Sequence, residues 1–293
     1  MPQLREWSRD DTRRLVRAPR PDDDKYRRGA VALCTGSDAY PGAAVLGVEG
    51  AWRAGAGFVR HLGARRVGDA VLARRPETVV ELLPEGDDDE SAGALPRASA
   101  WVVGSGMDAS QRDPAATRVL RRILSGTVPV VVDAGALDLL ADASAPVLAT
   151  PHDREFARLR DALGLRALAA GDGADEGRRA DAVQEAARAL GGTLLLKGAR
   201  TLVAGPDGPA TVVEAGTPWL ATAGTGDVLA GVLGALLAAA PGASPADVAA
   251  AGAWIHGLAG RSASGTGPGA VGRPIVALDV AEAIPAVVED LLT

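Results

Sequence analysis

Short runs of consecutive apolar residues alternate along this chain with longer segments in which apolar positions recur every three to four residues. The first pattern predicts strands at Ala30–Thr35, Gly57–Leu62, Thr78–Leu83, Ala100–Gly104, Pro129–Asp133, Val147–Thr150, Thr193–Leu196, Thr201–Ala204 and Thr211–Glu214. The second predicts helices at Ala43–Ala54, Pro114–Leu124, Arg154–Leu163 and Asp175–Leu190, then at Asp227–Ala240, Pro245–Ser264 and Leu278–Leu291. Runs that are apolar at every position suit strands covered on both faces, so the expected fold is α/β: a doubly wound, mostly parallel sheet flanked by helices. The closely spaced strands from Thr193 to Glu214, two of them joined through GPDG, predict a small antiparallel meander. The acidic stretches EGDDDES around residue 87 and GDGADEG around 174 read as solvated loops, because the alternation resumes directly after each. Residues 1–29 read as a polar arm ahead of a single domain over 30–293.

Composition narrows the function classes. With 47% hydrophobic and 23% charged residues the chain has enough apolar surface to fold around a core. The net charge of −6 provides no overall basic field, so neither nucleic acid nor an anionic membrane is an expected partner. Cys34 is the only cysteine, which excludes an internal disulfide and a thiolate metal cluster and suits a reducing, cytoplasmic setting. The charged N-terminus lacks the apolar segment of a signal peptide. The longest apolar run, Val228 to Ala240, falls short of the roughly 20 residues a membrane span needs. Only two of the 31 basic residues are lysines, Lys25 and Lys197, so each invites a question.

In open parallel sheets ligands bind beyond the carboxyl ends of strands, and that is where the chemically suggestive residues fall. Gly224, Thr225 and Gly226 lead into an apolar helix; glycines admit a ligand close to the backbone, and free N–H groups at a helix start favour an anion. Asp227 beside them is either a helix cap or a base that takes a proton from an attacking hydroxyl. Lys197 closes the strand in TLLLKGART, where its compact ammonium can point at phosphate and Gly198 can expose backbone N–H groups. His152, after a strand and Pro151, is a turn histidine or a group that hydrogen-bonds a polar ring. His61 and His256 have no supporting motif, and His256 reads as part of a packed helix face. Asp133 at a strand end either positions magnesium or phosphate or caps the next helix. Pro41 and Gly42 open a helix whose N–H groups near Ala43 are available to a ligand. Neither GxGxxG with dinucleotide-binding spacing nor GxxxxGK[ST] occurs there.

Taken in order, GSDAYPGAAVLGVEGAWRAGAG, VVGSGMD, VVVDAGALDLL, LATPHDREFARL, LLLKGART and ATAGTGDVLAGVLGALL resemble the ribokinase-like family of NAD(P)H-hydrate dehydratases. GTGD alone indicates only the wider superfamily, whereas TPH…E, LKGxxT and ATxGTGDVLAG together are far more specific. The resemblance implies a ribokinase-like fold and a cytoplasmic, homotetrameric lyase. It would restore NADH and NADPH from (6S)-NADHX and NADPHX, with ADP as co-substrate, AMP and phosphate as products, and Mg2+ as cofactor. By resemblance, Ala43, Gly106, His152 and Asp227 bind the hydrated dinucleotide, and Lys197, Gly198, Ala199, Arg200, Thr201 and Gly226 bind the adenine nucleotide. Asp227 is then the catalytic base and Gly224–Thr225–Gly226 the anion hole. Pro41, Ser105, Gly135 and Ala223 depart from the family pattern. The epimerase domain often fused in front has no room in the 29 residues before the first strand, so a separate NAD(P)HX epimerase is the expected functional partner. A small-molecule kinase of the same fold, acting on a hydroxymethylpyrimidine, a thiazole alcohol or a sugar, and a catalytically inactive nucleotide-binding regulator are the alternatives.

Overall fold

The computed structural model describes residues 4–84, 95–168 and 175–293. The acidic stretch around residue 87 and the first residues of the one around 174 lie outside them. Among the described residues ten strands form one sheet: β1 (Arg5–Glu6), β2 (Ala30–Cys34), β3 (Phe58–Gly63), β4 (Val79–Leu82), β5 (Ala100–Val103), β6 (Val130–Val132), β7 (Val147–Ala149), β8 (Thr193–Leu196), β9 (Thr201–Ala204) and β10 (Thr211–Val213). Their order is β4-β3-β2-β5-β6-β7-β8-β9-β10-β1. Strands β2 to β8 pair in parallel, and β9 runs antiparallel to both β8 and β10, which is the predicted meander. The chain winds outward from β2 to β4 and then returns to β5 beside β2. The winding therefore reverses between β2 and β5, beyond whose carboxyl ends open α/β sheets bind ligands.

Among the described residues nine α-helices accompany these strands: α1 (Arg9–Arg13), α2 (Pro41–Arg53), α3 (Arg65–Arg74), α4 (Pro114–Leu124), α5 (Asp153–Ala162), α6 (Glu176–Leu190), α7 (Thr225–Ala239), α8 (Pro245–Ser264) and α9 (Ala277–Leu292). Alternate residues of the fully buried strands feed two cores, as a two-residue side-chain period demands. Val31 and Leu33 of β2 and Val102 of β5 pack with α2, α7, α8 and α9, while Ala32, Cys34 and Val103 pack with α4, α5 and α6. Helices α2 and α7 approach very closely because Gly47, Gly50 and Gly231 lie between them. A methyl on Gly231 would collide with the Gly47 carbonyl oxygen, and one on Gly50 with that of Val228. This contact sets the amino ends of both helices side by side at the carboxyl edge of the sheet.

Three features differ from the sequence expectation. The polar arm is partly folded: β1 pairs in parallel with β10, Trp7 is buried, and its Nε1 donates to Thr12 Oγ1 at 2.8 Å. Helix α3 escaped the hydropathy pattern because RRVGDAVLAR buries only Val67, Gly68 and Val71. A 3-10 helix over Ala134–Asp142 follows β6; it buries Ala136, Leu137, Leu139 and Leu140, but the segment is too short and its turn too tight to announce an α-helical period. Cys34 is fully buried, and desolvation pushes its thiol up to about 12.

Candidate functional site

Helix α7 begins at Thr225, two residues before the predicted start, with Gly224 as its N-cap in the left-handed region at φ 91°. A side chain at Gly224 would strain the backbone and strike Leu46 of α2. No side chain caps this helix; the Thr225 N–H reaches the Thr222 carbonyl at 3.4 Å, and the N–H groups that follow it in the first turn are available to an anion. Asp227 occupies the third helical position and makes no capping bond, which removes the capping reading of this carboxylate. Thr225 Oγ1 lies 2.8 and 2.9 Å from the carbonyls of Leu220 and Thr222 and shares its one proton between them, tying the loop to the chain before it.

The electrostatics single out Asp227. Burial, and then the negative charge of Asp133, push its carboxyl up to about 7, with Lys197 pulling the other way. A carboxylate so placed exchanges protons near neutrality, as a general base requires. Lys197, directly after β8, lies over the loop: its Nζ is 3.6 Å from where a Cβ on Gly226 would stand. Burial lowers the proton affinity of this ammonium, but Asp133, together with Glu155 and Asp227, outweighs it and leaves Lys197 above an ordinary lysine. Lys197 Nζ donates to Asp133 Oδ1 at 2.8 Å. The same oxygen accepts from Thr150 Oγ1 at 2.8 Å, and Asp133 Oδ2 accepts from Ser105 Oγ at 2.9 Å. Both carboxylate oxygens are thus engaged. Asp133 makes no capping bond to the 3-10 helix either. Among the described residues no group of three or more His, Cys, Asp or Glu side chains is arranged to hold a metal ion.

Beside the α7 loop lies a cavity of about 710 Å3, lined in part by His152, Lys197, Gly198, Ala199, Thr201 and Gly226. His152 serves there as the N-cap of α5: its Nδ1 accepts from the N–H groups of Arg154 and Glu155 at 3.1 and 3.3 Å, and Glu155 Oε2 accepts from the His152 N–H at 2.8 Å. The turn role and the place on the cavity wall therefore coexist. His256 reaches the same wall from α8, and its Nε2 stands 2.9 Å from the Thr225 carbonyl oxygen. Since a carbonyl only accepts, Nε2 carries the proton and donates it; burial pushes this imidazole down to about 4, so it stays neutral at physiological pH. His256 therefore anchors the Gly224–Gly226 loop, a role that an otherwise bland Ala/Gly helix did not advertise. Thr150 stood only as a strand end in the sequence, and Ser105 only as a departure from the family pattern.

The remaining predicted residues fall elsewhere. Arg200 turns toward Glu176 and Glu214, pairing with both at the half-exposed surface, and does not line the cavity. Ala43 and Gly106 meet at the winding reversal, where a methyl on Gly106 would collide with the Ala43 side chain. The loops there are joined by the Gly36 N–H to the Ser105 carbonyl at 2.7 Å and by Ser37 Oγ to the Gly106 carbonyl at 2.8 Å. His61, behind them, is buried with Nε2 3.0 Å from the Thr35 carbonyl. Gly135 admits no side chain, because a methyl would strike the Met107 carbonyl. Pro41 is the first residue of α2, a position where the missing N–H costs nothing.

Comparison with known proteins places these features in a family. A family model described as NAD(P)H-hydrate dehydratase matches residues 31–270. The bifunctional NAD(P)H-hydrate repair enzyme Nnr of Mycobacterium tuberculosis (strain CDC 1551 / Oshkosh) is 42% identical over 227 residues, which are 75% of this chain and 43% of that protein. Its counterpart from Mycobacterium leprae is 40% identical over 257 residues, 85% of this chain and 49% of the relative. The chain thus spans less than half the length of these curated relatives. Among solved structures, the ADP/ATP-dependent NAD(P)H-hydrate dehydratase of Bacillus subtilis, co-crystallised with ATP and Mg2+, superposes with a TM-score of 0.80 at 23% identity, covering 99% of each chain. Hydroxyethylthiazole kinase of Pyrococcus horikoshii superposes with a TM-score of 0.61 at 17% identity, covering 96% of this chain and 94% of the other. Both share the fold of this chain, as does a ribokinase-like superfamily protein of Enterococcus faecalis, which superposes with a TM-score of 0.80 at 23% identity, covering 99% of this chain and 96% of the other.

Proposed function

The chain belongs to the NAD(P)H-hydrate dehydratase family, and from that premise we propose that it removes water from NADHX and NADPHX at the expense of ADP, giving NADH or NADPH, AMP and phosphate. The observation that carries this reading is Asp227: a carboxylate free of capping duty, able to exchange a proton near neutrality, beside an uncapped helix start with a lysine over it. Hydroxide is a poor leaving group, and phosphate is a good one. Asp227 takes the proton of the hydroxyl on the ring carbon next to the nicotinamide nitrogen. The oxygen attacks the β-phosphorus of ADP, whose charge is met by the Gly224–Gly226 N–H groups and Lys197, and the anhydride bond breaks to release AMP. The ring nitrogen's lone pair then expels the phosphate, breaking the carbon–oxygen bond, and loss of a proton from the adjacent carbon restores the dihydronicotinamide.

In this scheme the cavity lined by Lys197, Gly198, Ala199, Thr201 and Gly226 takes the adenine nucleotide, and Ala43, Gly106 and His152 border the hydrated dinucleotide. Arg200 contributes through its pairs with Glu176 and Glu214, which brace the Gly198–Thr201 turn from outside. Both Asp133 oxygens are already hydrogen-bonded, and among the described residues no group of three or more His, Cys, Asp or Glu side chains is arranged to hold a metal ion, so the residues present do not fit a magnesium ion held by the protein alone. We therefore assign Mg2+ to the nucleotide phosphates and give it no protein ligand. Residues 30–293 act as the dehydratase unit, and an epimerase acting on the same hydrated cofactor is the proposed partner.

The test is incubation with hydrated NADH or NADPH, ADP or ATP, and Mg2+. Recovery of reduced-nicotinamide absorbance with matching phosphate release supports the reading. Silence with both nucleotides refutes it. Accumulation of a phosphorylated alcohol instead would mark a kinase, and tight ADP binding without turnover of any candidate a regulator.

A further inference from the structure

Four adjacent parallel strands each end in one polar residue of a single buried cluster: Ser105 beyond β5, Asp133 after β6, Thr150 after β7 and Lys197 after β8. Asp133 is the hub, 3% exposed, and receives a hydrogen bond from each of the other three. Ser105 sits between the two glycines of the loop that meets Ala43 at the winding reversal, whereas Lys197 stands over Gly226. The cluster therefore runs beneath the floor from one proposed half-site to the other. Lys197 spends one of its three donors on Asp133 and keeps two for a phosphate.

We propose that Asp133 is the positioning residue of this site: hydrogen-bonded to Ser105, Thr150 and Lys197, it ties four strand ends together and holds the Lys197 ammonium over the amino terminus of α7, beside Asp227. The inference rests on the proposed function for its catalytic meaning but not for its electrostatics. Of the groups around Asp227, Asp133 opposes ionisation, Lys197 favours it, Glu155 acts on Lys197, and His256 is neutral. Helices α2 and α9 present Leu46, Gly47 and Ala277 there, none of which titrates. Removing the Asp133 charge takes away the one neighbouring carboxylate that resists ionisation of Asp227.

The experiment is a carbon-13 NMR titration of the Asp227 carboxyl in the wild type and in Asp133→Asn, with the signal assigned through Asp227→Asn. In Asp133→Asn the Asp227 midpoint is expected to move down by about one pH unit, the size of effect a nearby charge exerts. The acid limb of the kcat/KM profile for dehydration moves with it, and KM for ADP rises as Lys197 loses its anchor. An unmoved midpoint, or a fall in kcat with the acid limb in place, overturns the proposal and leaves Asp133 a structural residue. Should Asp133→Asn not fold, the Asp133→Asn/Lys197→Met double variant removes the buried pair together, and its Asp227 midpoint must lie below that of Lys197→Met alone. Absence of dehydration by the wild type would defeat the proposed function, and the NMR titration would still decide this inference.

Discussion

Replacing Asp227 by asparagine is expected to stabilise the protein above neutral pH while abolishing turnover. The carboxyl of Asp227 titrates at about 7 in the fold against 3.8 for an ordinary aspartate, first because it is buried and then because Asp133 is near. Below pH 3.8 the folded and unfolded chains both hold the proton, and the group costs nothing. As pH rises the unfolded chain ionises first, so the proton held by the folded state is given up at increasing cost, and stability falls until pH passes 7. At about 1.4 kcal/mol for each pH unit between the two values the full loss approaches about 4 kcal/mol, and nearer 3 kcal/mol once partial solvent contact is allowed for. Asparagine has the same shape and no charge to desolvate. Urea unfolding of both proteins should therefore show a gain for Asp227→Asn of about 3 kcal/mol at pH 8, shrinking to about 1 kcal/mol at pH 5. An equal gain at both pH values, or a less stable variant at pH 8, would refute the placement of this carboxylate. The coupling of gain in stability to loss of activity is the signature of a group retained for chemistry.

Lys197→Arg should raise KM for ADP by about tenfold or more in steady-state assays, because a planar guanidinium cannot keep the 2.8 Å contact to Asp133 and still stand over Gly226. Gly231→Ala should cost about 3 kcal/mol in urea unfolding despite alanine's better helix propensity, since its methyl meets the Gly47 carbonyl; a stabilised variant would show that α2 and α7 are not in contact. Trp7→Ala should cost about 3 kcal/mol and speed proteolysis before residue 30, and an unchanged unfolding midpoint would show that the arm does not pack on the body.

The strands were legible because a strand buried on both faces needs no alternation: AVALC and VVV announce themselves as unbroken apolar runs. Helix α3 and the Ala134–Asp142 turn were not, since each buries a few residues on one side of a polar or short segment. Lys197 was legible through its rarity, and Gly224–Asp227 through the glycines that an exposed helix start needs. The work of Asp133 was hidden, because its partners lie 28, 17 and 64 residues away in sequence and meet only through the strand order β5-β6-β7-β8. His152 shows a different limit: capping and lining a cavity are compatible, so the sequence could not have separated them.

The burial of Cys34 has a practical consequence. Its thiol, fully enclosed and pushed up to about 12, offers almost no thiolate at neutral pH, so the native chain is silent toward maleimides and iodoacetamides. A cysteine introduced at Tyr40, 60% exposed where α2 begins, or at Val271, 90% exposed, would be a single chemical address. With cysteines at both positions, a pair of fluorophores or spin labels can report the distance between them in a protein whose own sulfur chemistry needs no editing.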